Sequence, residues 1–196
     1  MLTSYKKALE SDPLSAFGGV LITNHKVDVD SASEMNNLFF EILIAPDYDE
    51  ESLKILKSKK NRILLKLKET NFDSRSSKKV LGGYLNQDFD IAENKIKNWK
   101  VVTQKTPSSE NYEDLQFANK IVKHSKSNAI VLVKNSQMIS SGVGQTSRVD
   151  ALKHAIEKAK TFGFDIKGSV MASDAFFPFP DCVETVSYTH LTLPTT

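Results

Sequence analysis

A polar segment with the sequence SGVGQTSR occupies residues 141–148 and carries the residue types best suited to hold an anion or a carbonyl group. Its two glycines let the backbone approach a ligand closely. Its Thr-Ser pair can cap a following helix, whose first N–H groups attract negative charge. Arg148 adds a planar pair of donors for a carbonyl or phosphate oxygen. No lysine precedes the Thr-Ser pair, which excludes a Walker nucleotide loop, and a plain tight turn before a capped helix remains the competing interpretation.

An aromatic segment, SDAFFPF, follows at residues 173–179. Phe176 and Phe179 flank a proline that stiffens the loop, and rigid aromatic side chains beside a strand end can stack on flat heterocycles. Asp174 can cap a turn or bind a ligand amine or cation. A packed corner of the core would use the same residues, so both interpretations stay open.

Weaker candidates stand at the ends of other apolar runs. Asn128 opens an apolar strand, where its amide could bind a ligand or simply satisfy backbone groups. Phe17 and Gly18 precede another strand, and a glycine in that place is usually conformational. Glu41 interrupts an apolar run, where a buried carboxylate would need a partner. A change of register by one residue would instead turn Glu41 to solvent.

The composition of the 196 residues is that of a globular protein with a core, since 40% are hydrophobic and 26% are charged. A net charge of +2 is too small to indicate nucleic-acid binding by bulk electrostatics. The lone Cys182 excludes a disulfide framework and a cysteine zinc site within one chain. We expect a cytoplasmic protein, because the first residues lack a secretory signal and the longest apolar stretch is too short to span a membrane. The four histidines form no catalytic or metal-binding pattern and are interpreted as solvated: His25, His124, His154 and His190.

Periodicity predicts alternating helices and strands, which favours an α/β fold. Helical spacing predicts helices over 3–10, 31–40, 47–62, 110–124 and 149–163. Apolar runs predict strands over 15–22, 42–45, 62–67, 79–87, 99–103, 127–135 and the first part of 168–182. The strand at 42–45 has no alternation, which is typical of a parallel sheet buried on both faces. Residues 68–79 and 136–148 are predicted to be loops or turns.

Two units and a tail follow from this pattern. We place a boundary near residue 105, which gives a first unit over 1–105 and a second over 106–184. Residues 185–196 are rich in threonine and lack a helical period, so we interpret them as foreign to the fold, a cloning or assembly remnant.

Five segments, in order, resemble motifs of one enzyme family: DPLSAFGG, EILIAP, KSNAIVLVKN, GVGQTSR and SDAFFPF. The family is the bifunctional AICAR transformylase/IMP cyclohydrolase of purine biosynthesis, and the similarity covers the transformylase domain over roughly residues 5–184. The resemblance implies two cytidine-deaminase-like α/β/α units without zinc, here truncated at both ends. It implies a formyltransferase that transfers a formyl group from 10-formyltetrahydrofolate to the amine of AICAR, the ribonucleotide of 5-aminoimidazole-4-carboxamide. A homodimer with sites near the subunit interface is implied as well.

The resemblance also assigns roles to individual positions. Residues that match the AICAR-binding positions are Gly18, Glu41, Asn128, Arg148 and Phe176. Residues that match positions at or near the folate are Phe17, Val149, Phe179 and Asp181. The segment around Ser127 and Asp174 resembles a structural potassium site of some members.

Departures from the family pattern limit what this chain should do alone. The family's catalytic Lys-His pair has no match here, and the resemblance places it before Met1; Lys153 and His154 lie on a helix in a different context. Pro180 stands where relatives commonly have arginine, which weakens the expected folate contacts. We therefore expect an inactive fragment that carries part of a binding site. A stand-alone, non-catalytic α/β nucleotide-binding or regulatory module and a purely structural domain are the alternatives.

Overall fold

The computed structural model describes residues 1–68, 74–91 and 95–188. The helices are α1 (Leu2–Glu10), α2 (Val29–Met35), α3 (Glu50–Lys57), α4 (Ser109–Lys123), α5 (Arg148–Thr161) and α6 (Asp181–Tyr188). The strands are β1 (Gly19–Ile22), β2 (Phe40–Ala45), β3 (Ile63–Lys66), β4 (Arg75–Val80), β5 (Gly83–Asp88), β6 (Ile130–Lys134), β7 (Gln137–Gly142) and β8 (Val170–Ser173). The alternation predicted from periodicity is confirmed as an α/β fold. None of the helices in these described ranges is long and apolar enough to cross a membrane.

The first sheet has the order β1-β2-β3 and is parallel, as the apolar run at 42–45 predicts. Leu43 and Ala45 are buried against the helices α1–α3, in a core that also contains Phe40 and Leu56. The expectation of burial on both faces is wrong for the described residues. Paired side chains on the opposite face remain partly or largely exposed, and they are Val20, Ile22, Ile42, Ile44, Ile63 and Leu65.

The second sheet is antiparallel with the order β7-β6-β8 and lies between two helices. Successive side chains of β6 lie on opposite faces of the second sheet, as in any strand. Ile130 and Leu132 pack in the core with α5, whereas Val131 and Val133 pack in the core with α4. The helices at 110–124 and 149–163 and the strand at 127–135 are thus confirmed, with shifts of one to three residues at their ends.

Strand β7 corrects the prediction of a turn over 136–148. Its residues include the serine pair Ser140 and Ser141, whose polarity resembles a loop. Ser140 is fully buried and donates a hydrogen bond to the carbonyl of Ala155 at 2.6 Å. A carbonyl of helix α5 therefore serves as the hydrogen-bond acceptor that water would provide for an exposed serine. Ser136, in the turn before β7, and the stretch from Val143 to Ser147 are connections of the predicted kind.

A hairpin of β4 and β5 corrects two more predictions. The predicted loop at 68–79 is a strand from Arg75 onward, and 69–73 lies outside the described residues. The predicted strand at 79–87 is two strands separated by a turn at Leu81, which has a φ of 52°. Polar pairs such as Arg75 with Asp88 at 3.0 Å accompany the backbone ladder, which explains why no apolar alternation signals this hairpin. The predicted strand at 99–103 is wrong, because those residues form no regular element.

Helix α1 and the two residues after it connect the core of the first sheet to β7 and α5. Gln137 donates to the carbonyl of Lys7 at 2.9 Å, and Ser11 donates to the carbonyl of Met138. Lys158 on α5 forms an ion pair with Asp12 at 2.5 Å. These contacts hold the first sheet against the second.

Candidate functional site

Arg148 is the first residue of α5 and the centre of a buried polar cluster. The side chain of Ser147 accepts a hydrogen bond from the N–H of Asp150 and so begins the helix. The Arg148 side chain is only 12% exposed. Its Nε donates to Ser173 Oγ at 2.9 Å, its Nη1 to Asn128 Oδ1 at 2.8 Å, and its Nη2 to Asp174 Oδ1 at 3.2 Å. The guanidinium is therefore held at each of its three nitrogens by residues from two other parts of the chain, Asn128 and the consecutive pair Ser173 and Asp174.

Asn128 links the start of β6 to the loop before α5. Its side-chain amide donates to the carbonyls of Gln145 at 3.0 Å and Thr146 at 3.3 Å. Its backbone exchanges hydrogen bonds with the backbone of Gln145 in both directions. With the amide nitrogen engaged by the loop, the Oδ1 oxygen faces Arg148, so the orientation of Asn128 is settled by the fold.

Asp174 follows the last residue of β8 and supplies the negative charge of the cluster. Its carboxylate accepts from the N–H of Ala129 at 2.8 Å and from the hydroxyl of Ser127. Burial acts to raise the pKa of Asp174, but the Ser127 and Ala129 hydrogen bonds and the Arg148 charge outweigh it. The pKa therefore lies below its ordinary value, and Asp174 stays ionised at neutral pH.

The two glycines of the 141–148 segment have structural roles, whereas the sequence suggested that they let the backbone approach a ligand. A Cβ on Gly142 would stand 2.0 Å from the carbonyl oxygen of Ala151, so this glycine permits α5 to lie against β7. Gly144 has a φ of +66° and donates its N–H to the carbonyl of Lys126 at 2.7 Å. Both glycines thus serve chain packing and turning, which leaves Arg148 as the candidate binding residue of the segment.

The aromatic segment divides between core and surface. Phe177 is half-buried against the core of α5, whereas Phe176 is 80% exposed and Phe179 is 66% exposed. Val149 packs on the same core, and Asp181 is exposed at the start of α6. Phe176 stands only two residues beyond Asp174, so an exposed ring adjoins the Arg148 cluster along the chain.

The remaining predicted site residues lie on the first sheet. The Phe17 ring packs on the Phe39 ring with centroids 5.0 Å apart, and Gly18 has a φ of +75° and donates to the carbonyl of Phe39. Glu41 is exposed on β2, which confirms the alternative that it faces solvent. Within the described ranges, no hydrogen bond or ion pair joins Phe17, Gly18 or Glu41 to the Arg148 cluster.

Sequence reasoning missed Ser173, the acceptor for Arg148 Nε. The available signal was a hydroxyl at the end of the apolar strand β8, directly before an aspartate. The histidine prediction is confirmed for His25, His124 and His154, which are exposed, while His190 lies outside the described residues.

A family model described as AICARFT/IMPCHase bienzyme matches residues 1–158. The chain belongs to the AICARFT/IMPCHase bienzyme family. The match confirms the resemblance inferred from the five segments, and it includes Arg148 and Asn128.

Curated relatives of the AICARFT/IMPCHase family support the assignment. The chain is 59% identical over 184 residues to the bifunctional purine biosynthesis protein PurH of Bacteroides thetaiotaomicron, covering 94% of this chain and 36% of that protein. It is 50% identical to PurH of Aquifex aeolicus and 51% identical to PurH of a Thermoanaerobacter species, each over 92% of this chain and 35% of the relative. The chain thus spans about a third of the length of the curated relatives it matches.

Proposed function

We propose that this chain supplies part of the AICAR-binding site of a formyltransferase in purine biosynthesis, with 10-formyltetrahydrofolate as the formyl donor. The observation that carries the proposal is the Arg148 guanidinium, bound by Ser173, Asn128 and Asp174 beside an exposed Phe176. Family membership and the names of the PurH relatives supply the reaction. The relatives' greater length favours a binding fragment over a stand-alone regulatory module.

The reaction depends more on the orientation of the AICAR amine than on strong bonds between the enzyme and AICAR. The aromatic amine of AICAR is a poor nucleophile, because its lone pair is delocalised into the ring and the carboxamide. Holding that amine beside the formyl carbon lowers the barrier by removing the entropy of encounter. Arg148 suits the carboxamide oxygen, and the Phe176 ring suits stacking on the imidazole. By resemblance, proton removal and oxyanion stabilisation belong to the Lys-His pair expected before Met1.

The folate side of the site is proposed for Phe17, Val149, Phe179 and Asp181. Phe17 and Phe179 are both largely exposed, so a flat pteridine ring could cover them without repacking the core. A homodimer is proposed together with this assignment, since Phe17, Gly18 and Glu41 lack contact with the Arg148 cluster within the described part of one chain. A second copy could complete each site.

The finer fold assignment is likewise a proposal: two cytidine-deaminase-like α/β/α units, each incomplete here. Its support is the sandwich of α4 and α5 around the second sheet, and the parallel first sheet with helices on one face. An experimental structure of the full-length protein would test it. Layers covering the open face formed by Val20, Ile42 and Ile63 are expected.

Potassium stays a prediction. The Ser127 hydroxyl and the Asp174 carboxylate are in contact, and both are oxygen donors of the kind that hard cations prefer. Two side-chain oxygens fit such an ion only as part of a larger set of ligands, so no step of the reaction is derived from it.

Loss of the guanidinium should abolish most AICAR binding. In the full-length protein, we expect Arg148→Ala to weaken AICAR binding by roughly 10- to 100-fold, since a hydrogen bond to a charged group contributes about 1.5–3 kcal/mol. Isothermal titration calorimetry measures this change directly. Arg148→Lys keeps the charge beside Asp174 but loses the planar pair of donors, and we expect it to bind weakly while remaining folded.

Arg75→Ala is the matched control, because Arg75 forms an exposed ion pair in the β4–β5 hairpin. Its AICAR affinity should equal that of the wild type. Equal affinity in the wild type and Arg148→Ala would overturn the proposal. The 196-residue chain itself should show no formylation of AICAR in a spectroscopic assay.

A further inference from the structure

The Arg148 guanidinium is held along one edge by two consecutive residues of the chain. Nε donates to Ser173 Oγ at 2.9 Å, and Nη2 donates to Asp174 Oδ1 at 3.2 Å. A guanidinium has five N–H groups in one plane. Three of them are engaged, the third by Asn128, and the other two have no partner among the described residues.

Ser173 and Asp174 contribute different things to this arrangement. Asp174 supplies charge, and its own carboxylate is fixed by Ser127 and Ala129. Ser173 supplies direction, because a hydrogen bond to Nε fixes the plane in which the other four N–H groups lie. Without the Ser173 hydroxyl, Nε–H would lack an acceptor in a side chain that is only 12% exposed.

The sheet determines where the Ser173 hydroxyl lies. Ser173 is the last residue of β8 and pairs with Ile130 in the antiparallel register of β6 and β8. Ile130 and Met171 belong to the core of α5, and residues two apart in a strand share a face. Ser173 therefore faces the layer that contains Arg148, at the place where α5 begins.

We propose that Ser173 is a positioning residue for AICAR binding, acting through the Arg148 guanidinium. The inference rests on the proposed function for the ligand, whereas the contact of Ser173 with Arg148 is independent of it. Ser173 orients the two unengaged N–H groups of Arg148 toward the ligand and has no contact with the reacting atoms.

The contact is tested without ligand by NMR of the arginine Nε–H groups in the 196-residue chain. The sequence has three arginines, so Arg62→Lys and Arg75→Lys assign the signals. We expect a protected Arg148 signal in the wild type, and exchange with water at least roughly tenfold faster in Ser173→Ala. Ser173→Thr retains the hydroxyl and should retain the protection.

Ser140→Ala is the matched control, because Ser140 is a buried serine of the same sheet whose hydroxyl donates to the carbonyl of Ala155 and not to the Arg148 cluster. It should lower stability and leave the Arg148 signal unchanged. An unprotected Arg148 signal in the wild type, or unchanged protection in Ser173→Ala, would overturn the role of Ser173.

The ligand effect is tested by kinetics on the full-length protein. We expect Ser173→Ala to raise the KM for AICAR about tenfold while the KM for 10-formyltetrahydrofolate stays within about twofold. Ser173→Thr should restore the AICAR KM, and Ser140→Ala should not change it. An unchanged AICAR KM in Ser173→Ala counts against the inference, whereas a wild type that neither binds nor formylates AICAR refutes the proposed function and leaves the NMR result standing.

Discussion

At the scale of single residues, partners determine what a side chain can do. Arg148 would be an ordinary helix-start arginine if Ser173, Asn128 and Asp174 did not hold it. Cys182 shows the opposite outcome. It is a reactive residue type that the fold makes inert, because it is 1% exposed in the core beside α5.

Cys182 should react slowly with thiol reagents. Burial raises the pKa of its thiol to about 11, and the charge of Asp181 adds to the effect. An ordinary cysteine has a pKa of about 8.5, so at pH 8 we expect a native rate roughly a hundredfold lower than that of an exposed thiol. The measurement is Ellman's reaction with and without denaturant.

Ser77→Cys provides the reference for this reaction, because Ser77 is exposed on the β4–β5 hairpin. The variant should show one fast and one slow thiol. Two fast thiols in the absence of denaturant would show that Cys182 is accessible.

At the scale of elements, the site depends on how closely α5 lies against β7. Gly142 brings the strand within contact of the Ala151 backbone. Arg148 begins the same helix, so a helix displaced from β7 would also displace the guanidinium from Ser173 and Asn128.

Gly142→Ala should destabilise the protein by about 3 kcal/mol, because the added methyl would meet backbone that cannot rotate away. The measurement is chemical unfolding followed by circular dichroism. Gly83→Ala is the control, since a Cβ there meets nothing within 4 Å, and it should be close to neutral. Similar stabilities for the two variants would refute the close approach of α5 to β7.

At the scale of the whole molecule, three carboxylates stabilise different parts of the fold. Asp12, two residues after α1, forms an ion pair with Lys158 on α5; Asp28 caps α2, and Asp174 holds the Arg148 cluster. The pKa of each lies below its ordinary value. For Asp12 and Asp174, burial opposes the lowering and is outweighed by hydrogen bonds and nearby cations; for Asp28, the hydrogen bonds from Ser31 lead.

Stability should therefore fall in acid. A carboxylate with a lowered pKa in the folded state binds fewer protons than in the unfolded state, so its contribution is present above the unfolded pKa of about 3.9. The contribution is lost as pH falls through the lower, folded value. We expect the free energy of unfolding to decrease below about pH 4, measured by urea unfolding at several pH values.

Asp174→Asn isolates one of these three contributions, because it preserves the shape of the side chain and removes its charge. The variant should be less stable than the wild type near neutral pH and should show a smaller loss below about pH 4. A wild-type stability that is constant from pH 6 down to pH 3 would contradict the argument.

The sequence alone determined the types of the main elements and the family. Helical spacing predicted α4 and α5, and the apolar run predicted β6, because periodicity is a local property that burial imposes on each element. Five ordered segments were enough to identify the AICARFT/IMPCHase family. Local sequence patterns did not predict β7, because a helix carbonyl takes the place of water as the hydrogen-bond partner of Ser140. They did not predict the β4–β5 hairpin either, because its strands are accompanied by polar pairs rather than by apolar alternation.

Only the tertiary structure decided which side chains meet. Arg148 and Ser173 are 25 residues apart, and Arg148 and Asn128 are 20 apart, so their contacts depend on the register of β6 with β8 and on the placement of α5. The same holds for Glu41, which is exposed at the point where the register between β1 and β2 shifts. A hydrogen bond needs its two atoms within a few ångströms in space. Residues that are distant in the sequence reach that distance only once the strands have paired, so the sequence pattern does not show which of them meet.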